Sequence, residues 1–425
     1  MKALNEAIQE CLALATSPVI ETRPLDQCFG HYLAKDLIAQ SPLPLWSQSA
    51  MDGYAVRHQE AKAGQTLTIG EVIPAGHWPQ KKLVQGEAAR IFTGAPIPDG
   101  ADAIVIQENC QLLPSGQAVL IQQSALEGRH IRQAGEEVKI GEILAHIGQE
   151  ITPGLIGLCA AQGWNTLPIF APANVSLIET GSELKSPGQK LSGAEIYATN
   201  ALTLAPLIRQ SSARLCHVSR SEDSVQTVVE HIQSALSSNT QVILTTGGVS
   251  VGDFDPIHKA LAKLGAERHF WKVKMKPGKP ISVASIKRED GQNCLIVGLP
   301  GNPVSCVVAY FLFVHPLLQK LSGIPEHLRG LRRVKAILKH DLDKTHHRAE
   351  LFRVCLNRQL DHHSQATFTC ELSGGQSSAW ISSIAESDGL LYVPDKPCSW
   401  PKGRSVEVAI FPWIRLETMT AKFEN

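Results

Sequence analysis

Short apolar runs alternate with amphipathic stretches along residues 171–325. The runs VSLIET, QVILTT and CLIVGL are rich in β-branched residues and are bounded by polar residues or glycine, which is typical of buried strands. The stretch SVQTVVEHIQSAL instead repeats its apolar residues with the period of a helix. Repeated strand–helix units predict a doubly wound, mainly parallel sheet covered by helices, and hence an α/β fold.

A glycine-rich turn joins one of these strands to the next helix in LTTGGVSVGDFDPIHKALAKLG. Gly247, Gly248 and Gly252 allow close backbone approaches that a Cβ would prevent. Asp255 followed by Pro256 is a strong helix start, because Asp caps free N–H groups and Pro fits the first turn. Such a turn presents backbone N–H groups and a positive helix end to an anion. By itself, the stretch is equally typical of a tight turn that binds nothing.

Turns rich in Gly or Pro follow three of the predicted strands, at residues 180–183 (TGSE), 247–252 and 300–303 (PGNP). In a parallel sheet, ligands bind outside the carboxyl ends of the strands. Because all three turns fall at that edge, together they favour an anion-binding crevice.

The rest of the chain predicts three further domains. Residues 1–40 are apolar and helical. Together with residues 138–170, they predict a discontinuous, elongated linker domain. Its second part holds a helix with Thr152 as its cap, Pro153 in its first turn and an end near Gly163. Residues 41–137 contain short strand-like runs and many Gly and Pro residues, which predicts an inserted β domain. Alternation in AELFRVCL and VEVAIFPW predicts a small, barrel-like β domain at residues 329–425. Pro206 is expected to bend or end its helix.

Composition excludes several classes of function. The 425 residues carry 40 Lys and Arg against 40 Asp and Glu, which argues against a general nucleic-acid or polyanion binder. Ten scattered cysteines include no C-x-x-C pair, so a structural zinc site is not expected, and they suggest a reducing cytosol. The N-terminus resembles an amphipathic helix rather than a signal peptide, and the apolar run at residues 306–314 is too short to span a bilayer. We therefore expect a cytoplasmic protein without membrane contact.

Charged residues near the predicted turns suggest phosphate and cation chemistry. The segment KMKPGKP places Lys276 and Lys279 around a rigid Pro-Gly bend, where lysines act as point charges for phosphate. The alternative is a solvated basic loop. Glu183, Asp223, Asp253 and Asp255 supply the oxygen ligands that Mg²⁺ takes when it bridges phosphates, although Asp223 and Asp255 could also be simple helix caps. Neither G-x-x-x-x-G-K-[ST] nor G-x-G-x-x-G occurs, so a P-loop or ordinary dinucleotide enzyme is disfavoured.

Two motifs in the inserted β domain remain open on spacing alone. QSAMDGYAV contains Asp52 and FTGAPIPDGADAIV contains Thr93, and each fits either an active-site turn or a hairpin. A histidine-rich group has no metal-ligand spacing and is expected to form exposed polar loops; it comprises His340, His346, His347, His362 and His363.

Six ordered motifs together resemble the molybdopterin molybdenumtransferase family, which includes bacterial MoeA and the C-terminal part of gephyrin. They are SAMDGYAV, TGAPIPDGADAIV, TGSEL, TTGGVSVGDFD, KPGKP and GLPGNPVS, and the resemblance weakens after Arg329. It implies that adenylylated molybdopterin and molybdate react to give molybdenum cofactor and AMP. It also implies a homodimer with shared active sites, in which Asp52 and Thr93 reach across to the other subunit, and it makes molybdopterin adenylyltransferase a candidate partner.

The resemblance also assigns roles to residues. It implies a catalytic group of Asp52, Thr93, Glu183 and Asp255, and a Mg²⁺ site formed by Glu183, Asp223 and Asp255. Substrate-binding positions are implied at Gly247, Gly248, Ser250, Gly252, Lys276, Lys279, Pro300, Pro303, Arg353 and Ser378. The chain departs from the family at Ala198 and Glu137, where Asp is usual. The alternatives are a molybdopterin adenylyltransferase, which makes the adenylylated pterin from ATP, and a gephyrin-like scaffold with a decayed site.

Overall fold

The computed structural model describes residues 1–247, 256–360 and 366–416. The chain divides into two compact units. Unit 1 comprises Met1–Thr22, Gly30–Ala34 and Pro168–Asn425, and unit 2 comprises Arg23–Phe29 and Lys35–Leu167. The finer division into four domains stays a prediction.

A mainly parallel sheet forms the centre of unit 1, as the apolar runs predicted. Its strands lie in the order Arg214–Ser221, Asn174–Thr180, Val242–Thr246, Asn293–Leu299, Ser282–Lys287 and Glu267–Trp271. The first four strands are parallel and the last two are antiparallel to their neighbours. Thr246 pairs with both Glu179 and Leu299, so three strands end at one level of the sheet. The turns that follow these strands therefore begin at the same edge.

Helices cover both faces of this sheet and bury their apolar sides. They are Asn200–Gln210, Val225–Ser237, Pro256–Lys263 and the stretch from Pro303 to Leu321, and the N-terminal helix Leu4–Ala13 packs into the same core. The helix predicted after Asp255 is confirmed, since it begins at Pro256 and Gly265 follows it at φ +70°. These helices fix the sheet and leave its carboxyl edge to the loops.

The stretch Pro303–Leu321 contains the apolar run predicted to be too short for a bilayer. It is helical over 19 residues with a mean hydropathy of 1.5, so length and composition alone would let it cross a membrane. However, 83% of the apolar window is buried inside the structure, as in a core helix. A π-helical turn at Tyr310–Val314 interrupts it, next to Pro316, which lacks the N–H needed for a regular helical bond.

The C-terminal part of unit 1 contains a closed β-barrel, in agreement with the alternation seen in the sequence. Ala349–Leu360 pairs with both Ala366–Leu372 and Gly389–Val393, and Arg333–Leu338 and Ser405–Ile410 complete the ring. Val354, Val408 and Cys370 are among the residues that fill its interior. Met275–Lys276 adds to the outside of Ala349–Leu360 as a parallel strand. This pairing joins the KMKPGKP segment to the barrel.

Unit 2 is built on a sheet with the strand order Ala103–Ile106, Gly53–Val56, Glu87–Ile91, Thr66–Ile73, Ala118–Ile121 and Cys110–Leu112. Two short antiparallel pairs accompany it, Gln48–Ser49 with Ile131–Arg132 and Leu37–Ile38 with Ile143–Ala145. The predicted helix is confirmed at Pro153–Ala161, where the Thr152 hydroxyl accepts a hydrogen bond from the Leu155 N–H at 3.3 Å. Gly163 follows the helix at φ +80°.

Short elements connect these parts. They are the strands Ile20–Pro24, Thr166–Phe170, Leu184–Lys185, Ile196–Tyr197, Leu342–Lys344 and Cys398–Trp400, the helix Ser382–Ala385, and the 3₁₀ turns Leu25–Gln27, Gln107–Asn109 and Glu326–Leu328.

One local prediction was wrong and another was wrong in part. Pro206 does not end its helix, which runs from Asn200 to Gln210, and the alternative that it bends the helix stays a prediction. Pro206 and Leu202, four residues before it, are both exposed, so water can solvate the carbonyl that loses its helical partner. The N-terminal region is also less helical than predicted, because Leu4–Ala13 is followed by strand and 3₁₀ segments. Pro18 and Pro24 lie in that segment and disfavour a continuing helix.

Candidate functional site

The TGSE and PGNP turns meet Gly247 at the carboxyl edge of the parallel sheet, and this glycine shows how closely they pack. Its φ is +84°, and a Cβ built there would lie 2.5 Å from the backbone oxygen of Thr180. A Cβ on Gly301 would lie 3.6 Å from the Cα of Gly247, so the PGNP turn borders the same glycine. The TGSE and PGNP turns therefore meet at Gly247, the first residue of the glycine turn, whose other residues lie outside the described part of the chain.

Two predicted carboxylates lie at this edge, on neighbouring loops. The Ser182 N–H donates to Oδ2 of Asp223 at 3.1 Å, and the Asp223 N–H donates to the Ser182 hydroxyl at 3.2 Å. Glu183 follows Ser182 directly, and both carboxylate residues are exposed. Asp223 is not a helix cap, because its side chain bonds the TGSE loop and the next helix begins at Val225.

The third predicted metal ligand, Asp255, lies outside the described residues, and so do Gly248, Ser250, Gly252 and Asp253. Within the described part of the chain, no three His, Cys, Asp or Glu side chains form a group that could hold a metal ion. Glu183 and Asp223 supply oxygen donors of the kind that Mg²⁺ prefers. The predicted trio is therefore incomplete without Asp255, and its role stays a prediction.

The basic segment is held in place by the barrel. Nζ of Lys276 lies 2.7 Å from Oε1 of Glu350, whereas Lys279 is exposed. Between them, Gly278 has a φ of +102°, and a Cβ there would lie 2.8 Å from the Cε of Met275. The Pro-Gly bend is thus a packed turn, unlike the solvated basic loop that was the alternative prediction.

Ser378, on a loop of the C-terminal region, contacts the PGNP turn. Its hydroxyl accepts a hydrogen bond from the Asn302 side-chain amide at 3.1 Å, and its carbonyl accepts one from the Val304 N–H at 3.2 Å. Pro303 opens the following helix, and Pro300 is buried at the end of its strand. The structure therefore brings the predicted residues Pro300, Pro303 and Ser378 together.

Arg353 stabilises the loop that carries Ser378. Its guanidinium donates to the carbonyls of Gly375 and Ser377 and to the hydroxyl of Ser383, at 3.2–3.4 Å, and the residue is only 1% exposed. Burial lowers the pKa of Arg353 to about 10. Arg353 therefore stabilises the Ser378 loop. A direct contact between Arg353 and a substrate stays a prediction.

Sequence reasoning missed a buried carboxylate beneath the site. Glu179 is 2% exposed, and its oxygens accept hydrogen bonds from the Ala201 N–H at 3.1 Å and from the Arg220 guanidinium at 3.1 and 3.2 Å. Asn200, beside Ala201, donates to the carbonyl of Gly301 at 2.8 Å. Glu179 thus connects its own strand with the helix that contains Ala201 and the strand that contains Arg220, beneath the loops of the site. The signal was a single carboxylate within the apolar run VSLIET.

The histidine prediction was wrong for His346. Its side chain is 29% exposed, and its Nε2 lies 2.8 Å from Oε2 of Glu350, whose side chain is only 5% exposed, so this imidazole is partly buried against a buried carboxylate. The buried carboxylate attracts it. His362 and His363 lie outside the described residues.

In unit 2, Asp52 and Thr93 lie together. Oδ1 of Asp52 accepts hydrogen bonds from both the N–H and the hydroxyl of Thr93, each at 2.8 Å. These bonds, the backbone one foremost, lower the pKa of Asp52 below its ordinary value. The guanidinium of Arg90 stacks on the rings of Tyr54 and Phe92 nearby in sequence, at 5.0 and 4.9 Å from their centroids. Two motifs that spacing could not interpret therefore form one acidic turn.

Comparisons with known proteins agree with this arrangement. The family model described as MoeA N-terminal region (domain I and II) matches residues 2–163, the probable molybdopterin binding domain matches residues 176–320, and the MoeA C-terminal region (domain IV) matches residues 335–411. These matches extend on both sides of the molybdopterin-binding region.

Whole-length relatives point the same way. The chain is 34% identical over 397 residues to molybdopterin molybdenumtransferase 2 of Mycobacterium tuberculosis, covering 91% of this chain and 94% of that protein. It is 29% identical over 416 residues to the molybdopterin molybdenumtransferase of Bacillus subtilis, covering 96% and 93%. A crystal structure of a molybdopterin biosynthesis MoeA protein from a Pyrococcus species superposes with a TM-score of 0.78 at 26% identity, covering 96% of this chain and 98% of that chain. The chain belongs to the molybdopterin molybdenumtransferase family.

Proposed function

We propose that this protein inserts molybdenum from molybdate into adenylylated molybdopterin and releases AMP and molybdenum cofactor. The observation that carries the proposal is the meeting of the TGSE and PGNP turns at Gly247, at one edge of the parallel sheet, where Thr246 pairs with both Glu179 and Leu299. Ligands of such sheets bind outside the carboxyl ends of the strands. Lys276 and Lys279 add positive charge, as a pyrophosphate requires.

The residues of this edge have separate tasks in the proposed reaction. Gly247 leaves room for the phosphates to approach the backbone, because its φ of +84° and its contact with Thr180 exclude a side chain. Lys276 and Lys279 hold the pyrophosphate while its bond breaks and AMP leaves, and they offset the charge that develops on the phosphate oxygens. Ser378 and the PGNP turn border the pterin side. Molybdate is a substrate here and ends in the product.

Mg²⁺ is part of the proposal. Glu183, Asp223 and Asp255 would hold it, and it would neutralise phosphate charge and polarise phosphoryl oxygens when bound. What supports this is the donor set, since the exposed carboxylates of Glu183 and Asp223 lie on contacting loops. Without a cation, those carboxylates would repel the phosphates.

We also propose a homodimer with shared sites, a cytoplasmic location and molybdopterin adenylyltransferase as a partner. The support for shared sites is the family resemblance, together with the paired Asp52 and Thr93 in unit 2. Asp52 and Thr93 come from two separate motifs and meet in one turn, as we expect of a functional turn.

Reconstitution tests the proposal. Purified protein, adenylylated molybdopterin and molybdate should yield AMP and a cofactor that activates a molybdenum-dependent apoenzyme. Incubation with ATP and molybdopterin, without molybdate, tests the alternative: accumulation of adenylylated pterin would identify an adenylyltransferase. The matches at residues 2–163 and 335–411, beyond the molybdopterin-binding region, favour the molybdenumtransferase. If neither reaction occurs with folded protein, the proposed function is wrong and the scaffold becomes the favoured alternative.

A further inference from the structure

The basic segment of the site is paired with the first strand of the barrel. Met275 lies opposite Ala349 and Lys276 opposite Glu350 in a parallel pairing. The Ala349 N–H donates to the carbonyl of Lys274 at 3.0 Å. The register therefore places the Glu350 carboxylate beside the lysine that the proposed function assigns to pyrophosphate.

The ion pair between Lys276 and Glu350 differs from a surface ion pair, because its carboxylate is buried. The Glu350 side chain is 5% exposed, whereas Lys276 is 40% exposed, and their charged atoms lie 2.7 Å apart. A buried carboxylate without a cation is costly, so Glu350 strongly favours conformers of Lys276 that reach it. The exposed part of Lys276 remains open to a ligand.

A second group fixes the other oxygen of this carboxylate. His346 Nε2 lies 2.8 Å from Oε2 of Glu350, although this contact lacks the alignment of a regular hydrogen bond. Nδ1 of His346 accepts the Arg348 N–H at 3.3 Å, which helps to orient the ring. Nζ of the buried Lys344 donates to the His346 carbonyl at 2.6 Å. Glu350 is thus held from one side and holds Lys276 on the other.

We propose that Glu350 is a positioning residue that fixes the ammonium of Lys276 for the pyrophosphate of the substrate; this inference rests on the proposed function. A lysine has a long flexible side chain and loses rotamer entropy when it is fixed. Anchoring by Glu350 incurs that loss before substrate arrives, so less is lost on binding. The ion pair with Glu350 occupies one side of the ammonium, which carries three hydrogens, so donors remain for phosphate oxygens. Lys279, which is exposed, makes no such ion pair within the described part of the chain.

Kinetics of the Glu350→Gln variant test the proposal. Gln keeps the size of the side chain but removes the charge that holds Lys276, so kcat/KM for AMP release should fall about tenfold, the effect of weakening one charge-assisted contact. In a Lys276→Ala background, the same substitution should change kcat/KM little, because the group it positions is gone. A structural role would persist in both backgrounds. Glu371→Gln is the matched control, since Glu371 pairs with Lys339 at 3.3 Å in the same barrel.

A second measurement is independent of activity. Trace labelling with an amine-reactive reagent, read by mass spectrometry, should modify Lys276 more slowly than Lys279 in the wild-type protein, because an ion-paired ammonium must leave its partner before it reacts. Glu350→Gln should speed labelling of Lys276 and leave Lys279 unchanged. Wild-type kcat/KM in Glu350→Gln, an undiminished effect in the Lys276→Ala background, or unchanged labelling would each overturn the inference. Absence of AMP release by the wild type would instead reject the proposed function, and the labelling result would still decide whether Glu350 anchors Lys276.

Discussion

Thr93 donates two hydrogen bonds to one oxygen of Asp52, from its backbone N–H and from its hydroxyl, both at 2.8 Å. The two residues are 41 positions apart in the chain and come from separate motifs. The arrangement fixes the direction of the carboxylate and stabilises its charged form, which is why the pKa of Asp52 lies below its ordinary value. An oriented, ionised carboxylate on an exposed turn is suited to act on a bound substrate.

Thr93→Val should raise the pKa of Asp52 towards its ordinary value, because one of the two donors is lost while the backbone N–H remains. Since the carboxylate is then protonated at a higher pH, the acid limb of the activity profile should also move to higher pH. Selective ¹³C labelling and an NMR titration of the Asp52 carboxyl group measure the first effect. Thr93→Ser, which keeps the hydroxyl, is the control. An unchanged Asp52 titration in Thr93→Val would show that the side-chain bond has no influence.

Gly247→Ala should destabilise unit 1 and abolish activity. A φ of +84° disfavours Ala, and the new Cβ would lie 2.5 Å from the Thr180 backbone oxygen, so the loops would have to separate. Strain of this kind costs about 1–3 kcal/mol, which urea unfolding would register as a lower midpoint. Gly301→Ala is the matched control for stability, because its Cβ would meet Gly247 at an ordinary 3.6 Å. Equal midpoints for the wild type and Gly247→Ala would contradict the packing described for this edge.

Local structure was predictable where the information lies in neighbouring residues. Thr152 and Pro153 mark the start of a helix by chemistry that acts within one turn, and the structure confirms it. The β-branched runs likewise predicted the parallel sheet and the edge at which the loops meet. The sequence could not show that the helix continues past Pro206, because the cost of an interior proline depends on whether water reaches the freed carbonyl.

The candidate site was predictable only in part, because several of its contacts depend on distant pairing. Glu350 meets Lys276 through the register between two strands, and neither residue specifies that register by itself. His346 appeared to be one of many loop histidines until the buried carboxylate gave it a partner. Glu179 could have been singled out, since a charge inside an apolar strand must find a partner when it is buried.

AMP release should require a divalent cation, and Asp223→Asn should raise the Mg²⁺ concentration needed for half-maximal rate about tenfold, as expected for loss of one charged contact. Asn keeps an oxygen that can accept the Ser182 N–H, which Asp223 binds at 3.1 Å, so the loop should stay in place. Asp255→Asn should act in the same direction while still capping its helix. Steady-state AMP release over a Mg²⁺ series measures both effects.

Glu407→Gln removes another exposed charge, paired with Arg333 at 3.4 Å in the barrel, and should leave the Mg²⁺ dependence unchanged. Full activity of the wild type in the presence of a chelator would refute the metal role. Normal turnover of Asp223→Asn at limiting Mg²⁺ would remove Asp223 from the set of ligands.

Mixing two inactive variants should restore activity if the sites are shared between subunits. In a dimer with two-fold symmetry, Asp52 from one subunit would serve the site that holds Asp255 of the other. A heterodimer of Asp52→Ala and Asp255→Ala then contains one site with both substitutions and one site with neither. After subunit exchange, AMP release should therefore approach half the wild-type rate per heterodimer. The rate is measured on heterodimers purified through two different affinity tags.

The double variant Asp52→Ala/Asp255→Ala, exchanged with wild type, provides the control, since each site of that heterodimer would then lack one carboxylate. Shared sites therefore predict activity from the two single variants and none from the wild-type–double-variant pair. Sites built within one chain predict the reverse, because the wild-type subunit would keep a complete site and the two single variants would each be broken. The two pairings thus give opposite results, and the comparison does not depend on how active either heterodimer is in absolute terms.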